Sequence, residues 1–202
     1  MKVLDLFCGM GGWSVGFHRE GFDCYGLDIM DVGYPYELWQ TPIEEFRGGE
    51  YRDMGFDVVV ASPPCTEFSP LTKLSWKKRQ RGPPDPEKGM RLVMQAARVI
   101  SLVAPKFWLI ENVKGAIPYF AKIPHLGEPQ AKIGSYCLWG NFPRLDFNGH
   151  PTKGGDKIGL PEDSYRDPLR SWKRARIPIE LSLAVARACK AMIITYQSEG
   201  KQ

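Results

Sequence analysis

The stretch Asp57-Val-Val-Val-Ala-Ser-Pro-Pro-Cys65-Thr-Glu-Phe-Ser69 decides the fold. Its first half is an uninterrupted β-branched run, the pattern of a strand buried on both faces of a parallel sheet. Pro63 and Pro64 have no N–H for a ladder, and each drives its predecessor out of the α region, so the strand must end there in a stiff loop. Cys65 is thereby delivered at or just past the carboxyl end of a central strand, the edge where open α/β sheets bind ligands. Two readings stand for it. A free cysteine is often a small buried hydrophobe, while a thiol at a ligand edge can be a nucleophile.

Upstream, Lys2 to Phe7 reads as a first strand, followed at once by Cys8-Gly9-Met10-Gly11-Gly12 and a helical pattern through Trp13, Gly16, Phe17 and Glu20. Strand, glycine turn and helix together suit a nucleotide, because glycines admit the ligand to the backbone and the helix amino terminus favours negative charge. Gly21 to Asp28 gives a second strand ending in an acid, 19 positions after Gly9. An acid at that spacing suits the ribose hydroxyls of an adenosine ligand; a loop carboxylate or helix cap is the plain alternative. Between residues 30 and 55 the only strand candidate is short, with Ile43 at its beginning or end.

Downstream of Cys65 comes Lys73-Leu-Ser-Trp76-Lys77-Lys78-Arg79-Gln-Arg81-Gly82-Pro83-Pro84. Such a run is commonly a solvated loop. Directly after a candidate catalytic loop it also suits phosphate contacts with Trp76 stacking on a base. Asp85 to Ala104 is an amphipathic helix whose stripe, Leu92, Val93, Ala96, Ala97, Ile100 and Val103, covers the sheet and has no catalytic part. Lys106 to Ile110 is another buried strand with Glu111-Asn112-Val113 at its carboxyl end, on the edge that holds Cys65. Glu111 either caps the following helix, Lys114 to Phe120, or acts as an acid. Partial burial would help it hold a proton. Ser135 to Trp139 reads as a further strand. Glycine, proline, lysine and aspartate dominate from Phe147 to Ser171, an irregular segment. Arg174 and Arg176 precede a closing helix opened by Pro178, with Leu181, Ala184, Val185, Ala188 and Met192 on one face.

The 202 residues read as a single domain, 1–202, with 43% apolar residues and a net charge of +4, a mild excess that permits a polyanionic partner. Five cysteines, at 8, 24, 65, 137 and 189, without a C-x-x-C pair or a histidine at ligand spacing, argue against a disulfide framework and against a metal site. Asp5 interrupts any signal-peptide core, and no apolar run reaches membrane-spanning length. The expected setting is the cytoplasm, at the nucleoid.

In this order the pieces resemble the cytosine-C5 DNA methyltransferase family. Asp5-Leu6-Phe7-Cys8-Gly9-Met10-Gly11-Gly12 is similar to its S-adenosylmethionine motif, Pro64-Cys65 with Phe68-Ser69 to its nucleophile motif, and Glu111-Asn112-Val113 to its E-N-V motif. Arg176-Ile-Pro178 and the last helix resemble the closing motif. The resemblance implies a doubly wound, mostly parallel α/β sheet of the Rossmann-like methyltransferase type. It implies that Phe7, Gly9, Met10, Gly11, Gly12, Asp28, Ile29, Ile43 and Pro64 bind S-adenosylmethionine, with Asp28 on the ribose and Ile43 beside the adenine. Cys65 would be the nucleophile and Glu111 the acid on the base, with Asn112 shaping the loop. Nucleic acid would meet Ser69, Lys73, Trp76, Lys77, Lys78, Arg79, Arg81 and Lys132.

The chain departs from the family's pattern at three places. Pro42 stands where an acid usually precedes the residue matching Ile43. Gln130-Ala-Lys132-Ile replaces a Q-x-R-x-R motif. Residues 143–173 are all that stands in the place of a target-recognition region, which leaves target choice to few side chains or to a protein partner. The expected activity is methyl transfer to cytosine C5 in DNA, in a restriction-modification setting. The same chemistry on RNA, and a binding-only relative without catalysis, are the alternatives. Retention of both Cys65 and Glu111 weighs against the last.

Overall fold

The computed structural model describes residues 1–69, 83–147 and 169–199. Seven strands form one sheet: β1 (Lys2–Leu6), β2 (Asp23–Asp28), β3 (Glu37–Gln40), β4 (Val58–Ala61), β5 (Phe107–Val113), β6 (Ala131–Ile133) and β7 (Tyr136–Asn141), in the order β3-β2-β1-β4-β5-β7-β6. The first five are parallel, and β7 runs antiparallel to both neighbours. This is a doubly wound, Rossmann-like α/β sheet. The order reverses between β1 and β4, and the crevice at their carboxyl ends is where such sheets bind ligands.

The alternation of side chains along the strands sorts two cores. Leu4, Leu6, Val59, Ala61 and Ile110 face one side, under α2 (Pro86–Val103) with its Val93, Ala96, Val99, Ile100 and Val103. Val3, Val58, Val60 and Leu109 face the other, under α1 (Gly12–Arg19) and the last helix. The central strands are buried on both faces, so their sequences read as continuous apolar runs rather than alternating ones. Asp85 caps α2, accepting the Lys88 N–H at 3.1 Å, and Pro86 fills its first turn, where no N–H is required. Two short helices, α3 (Ile117–Phe120) and α4 (Arg170–Ala175), precede the long closing helix α5 (Ile179–Glu199).

Several expectations are corrected by these elements. The third strand is Glu37–Gln40, and Ile43 lies beyond it, because Pro42 has no N–H to continue the ladder. β1 stops at Leu6. Phe7 takes a left-handed φ of 59°, and both its N–H and that of Cys8 donate to the Leu27 carbonyl. β5 does not stop at Ile110 but continues through Val113: β4 ends at the Ala61–Ile110 pair, while β7 goes on pairing as far as Val113–Tyr136. The expected helix 114–120 is a 3₁₀ turn, Lys114–Ala116, followed by α3. Residues 170–173, read as part of an irregular segment, belong to α4.

The closing helix buries Leu181, Ser182, Val185, Ala186, Cys189 and Ile193, a face rotated from the expected Ala184, Ala188 and Met192. Ser182 explains the rotation. Its hydroxyl donates to the Trp13 carbonyl, and a Cβ on Gly16 of α1 would strike it. A polar residue at a close helix crossing hid the true stripe.

Candidate active site

The ends of β1, β2, β4 and β5 surround a cleft of about 430 Å³. Phe7, Gly9, Met10, Gly12, Asp28, Ile29, Ile43, Pro64, Cys65 and Glu111 all line it. Ten of the expected site residues are thus brought to one place by five separate segments of chain.

One wall is built around the turn after β1. Asp28, at the end of β2 and 5% exposed, accepts the Gly9 N–H at 3.0 Å with one carboxylate oxygen and the Met30 N–H at 3.1 Å with the other. Asp28 therefore fixes the glycine turn, and each oxygen retains a lone pair for a further donor. Gly9 has a φ of 49°, which favours glycine, and the edge of the Trp172 ring lies where its Cβ would point. Gly11 does not reach the cleft. With a φ of 73° it caps α1 and packs beneath Tyr34 and Pro35, so its smallness serves the fold. Gly12 lines the cleft, and a Cβ there would meet the Ile177 backbone. Ile29 leaves 60% of its surface exposed beside the cleft, an apolar flank for a flat ligand group.

The opposite wall carries a thiol and a carboxyl. After β4 the chain runs Ser62-Pro63-Pro64 into a single 3₁₀ turn, Cys65–Glu67, which leaves Cys65 half-buried. Two side chains brace that loop. Trp13 Nε1 donates to Ser62 Oγ at 2.9 Å, and Asn112 Nδ2 donates to the Pro63 carbonyl at 3.0 Å. Asn112 is fully buried, does not line the cleft, and also accepts the Val113 N–H at 2.9 Å. Its role is to lock the proline loop to β5. Glu111, 9% exposed, lies on the part of β5 that overhangs the end of β4. The thiol and the carboxyl thus share one cleft with the glycine turn.

The remaining expected contacts separate. Lys132 is on β6, away from the cleft lining and paired with Glu128 at 3.4 Å. Gln130 turns to the Phe142 carbonyl, 2.7 Å away. Ser69 ends the described loop; its N–H donates to the Cys65 carbonyl, and it does not line the cleft. Lys73, Trp76, Lys77, Lys78, Arg79 and Arg81 lie outside the described residues, as do 148–168.

Three contributors were missed in the sequence, and a fourth, Asp5, entered only as part of the glycine-turn motif. Trp172 of α4 closes over Gly9 from a six-residue helix too short to show periodicity. Leu92 of α2 lines the cleft, so that helix does more than cover the sheet. Arg98, also on α2, donates to the carbonyls of Ile43 at 3.1 Å and Phe46 at 2.9 Å, holding the loop that carries Thr41, Ile43 and Glu44 into the cleft. Asp5 lines the cleft 1% exposed. Its Oδ2 accepts from Ser14 Oγ at 2.7 Å, and its Oδ1 has no hydrogen-bond partner among the described residues. Of these, only Asp5 carried a signal, an acid inside an apolar strand.

The family described as C-5 cytosine-specific DNA methylase matches residues 1–119. The chain belongs to this family. It is 32% identical over 129 residues to the type II methyltransferase M.FnuDI of Fusobacterium nucleatum, covering 58% of this chain and 33% of that protein. It is 30% identical over 131 residues to the type II methyltransferase M.AquIA of Picosynechococcus sp., covering 57% and 50%. Against the type II methyltransferase M.AplI of Arthrospira platensis it is 32% identical over 188 residues, covering 78% and 52%. The chain spans about half the length of these relatives, or less. Among the described residues no group of histidine, cysteine and acidic side chains could hold a metal ion, and no helix is long and apolar enough to cross a membrane.

Proposed function

We propose that this chain transfers a methyl group from S-adenosylmethionine to C5 of cytosine in DNA through a covalent bond between Cys65 and C6. The observation that carries the reading is the convergence of Cys65 and Glu111 on the cleft whose other wall is the Gly9–Asp28 turn. The residues of that wall suit the cofactor. Asp28 keeps acceptor capacity for ribose hydroxyls, Ile29 and Ile43 flank a flat base, and the amino terminus of α1 favours a carboxylate. S-adenosylmethionine, when bound, supplies a methyl group electrophilic enough for a carbon nucleophile.

Cytosine C5 is too weak a nucleophile on its own. The Cys65 thiolate adds to C6, the new S–C bond pushing the ring electrons toward N3, and Glu111 delivers a proton there. C5 becomes the nucleophilic carbon of an enamine. Once C5 has gained its methyl group, a base takes the C5 proton, the ring double bond returns, and the sulfur leaves. The proline brace and Asn112 serve this sequence by holding the thiol still. Within a duplex the target base must leave the stack to reach the cleft. Between residues 143 and 173 few side chains are available to read bases, so we expect a target of a few base pairs or help from a protein partner.

Transfer of labelled methyl groups to DNA and to tRNA tests the reading. Label recovered as 5-methylcytosine in DNA supports it. Label in tRNA alone would move the substrate to RNA, and cofactor binding without transfer to either would leave a binding protein.

A further inference from the structure

A hydrogen bond between side chains joins the two walls of the cleft. Trp13 follows Gly12 in the first turn of α1, so it moves with the glycine turn, and its indole N–H donates to Ser62 Oγ at 2.9 Å. Ser62 is the first residue after β4 and opens the loop that carries the thiol; both residues line the cleft. A buried indole needs a partner for its N–H, and any backbone carbonyl would serve. Here the partner is a side chain of the thiol loop. Each end of the bond is anchored. The Trp13 carbonyl accepts the Ser182 hydroxyl of α5, and Trp13 is buried in the same core as Phe17, Leu181 and Val185. The Ser62 N–H donates to the Leu6 carbonyl at 3.2 Å. Pro63 and Pro64 then fix φ at both residues between Ser62 and Cys65, so the position of Ser62 is passed on to the thiol.

Accepting the reaction proposed above, we infer that Trp13 is a positioning residue for the methyl-transfer step, setting the thiol-bound base against the cofactor. The two braces of the thiol loop lead to different walls. Asn112 ties Pro63 to β5, the strand of Glu111, and so sets the thiol against the acid. Trp13 ties Ser62 to the helix that begins at the glycine turn, and so sets the thiol against the cofactor. Addition of sulfur to C6 needs the thiol and the acid alone. Once bonded, the base sits where Cys65 holds it, while the cofactor sits where Gly9 and Asp28 hold it. The line from C5 to the methyl group then depends on the link between those two supports. Misplacing reacting groups by about 1 Å can cost about 10²-fold in rate. Loss of the link should therefore slow transfer and spare addition.

The two steps can be read separately on DNA carrying cytosine tritiated at C5. With no cofactor present, addition at C6 lets C5 take a proton from water, and tritium leaves to water as the sulfur is expelled. Tritium release without cofactor therefore reports addition, and single-turnover transfer from S-adenosylmethionine reports the methyl step. Trp13→Phe keeps a ring in the core and removes the N–H, while Ser62→Ala breaks the same bond from the loop. Each should slow transfer about tenfold or more, while tritium release and S-adenosylhomocysteine affinity stay within about threefold. Because both changes remove one interaction, the double variant should be no slower than the worse single one. Ser62→Thr, which keeps an acceptor, should restore transfer. Transfer unchanged in Ser62→Ala, or transfer and tritium release falling together, would overturn the role of Trp13 and leave the covalent reading standing. An unaltered chain that releases no tritium, with or without S-adenosylhomocysteine, would overturn both.

Discussion

The two walls of the cleft are made by opposite means. The wall after β1 and β2 is backbone held in place: Asp28 grips the N–H groups of Gly9 and Met30, and close packing leaves no room for side chains at Gly11 and Gly12. The wall after β4 and β5 is side chains on a braced loop, where Trp13 and Asn112 pin Ser62 and Pro63 so that Cys65 stands opposite the turn. A backbone wall suits a ligand that must be bound and released unchanged in position. A braced side-chain wall suits bond making, where small displacements of a reacting atom are costly. Changes in the first wall should move affinity, and changes in the second should move turnover.

The largest effect expected is on the second wall. Glu111→Gln cannot pass a proton to the base and should lower the single-turnover methylation rate by about 10²–10⁴-fold, the usual scale for general acid catalysis. Calorimetric affinity for S-adenosylmethionine should hold, and a parallel loss of both would merge the two walls into one. Asp28→Ala sharpens the contrast from the other side. It removes a carboxyl acceptor worth about 1.5–3 kcal/mol, so affinity should fall about tenfold or more. A folded variant with unchanged affinity would remove Asp28 from the binding wall.

A smaller change is expected at Asn112. Asn112→Ala orphans the buried Pro63 carbonyl and the Val113 N–H, at a cost of about 1–3 kcal/mol in urea unfolding. Turnover should drop while cofactor affinity stays; normal turnover in the destabilised variant would show that the brace is structural only. The smallest is Arg98→Met. Loss of its donors to the Ile43 and Phe46 carbonyls should weaken cofactor binding by roughly fivefold, about 1 kcal/mol. An unchanged affinity would mean that the loop after β3 holds itself.

The legibility of the sequence follows the same division. Backbone devices have strong local signatures: a glycine turn between strand and helix, a double proline after a β-branched run, an acid at the end of a strand. Phe7, Gly9, Asp28, Cys65 and Glu111 were therefore visible in one dimension, and the sheet brings them to one cleft. Contacts that depend on packing between distant elements were not. Arg98 reaches the loop at Ile43 from 55 residues away, and Trp172 covers Gly9 from a helix with no periodic pattern. Ser182 broke the apolar stripe of α5 because it is buried by a crossing with Gly16 that no local pattern announces. The overhang of β5 was hidden for a related reason, since its length is set by antiparallel β7 rather than by its own composition.

The bond between Cys65 and C6 is the centre of the proposed reaction, and one measurement reaches it directly. Duplex DNA carrying 5-fluorocytosine in place of cytosine should stall the proposed reaction after methyl transfer, because fluorine cannot leave as a proton. The predicted result is a protein–DNA adduct that survives a denaturing gel, requires S-adenosylmethionine, maps by peptide sequencing to Cys65 and disappears in Cys65→Ser. Replacement of Cys8, Cys24, Cys137 or Cys189 should leave it intact. A crosslink mapped to any other residue, or methylation of ordinary DNA that persists in Cys65→Ser, would contradict the account.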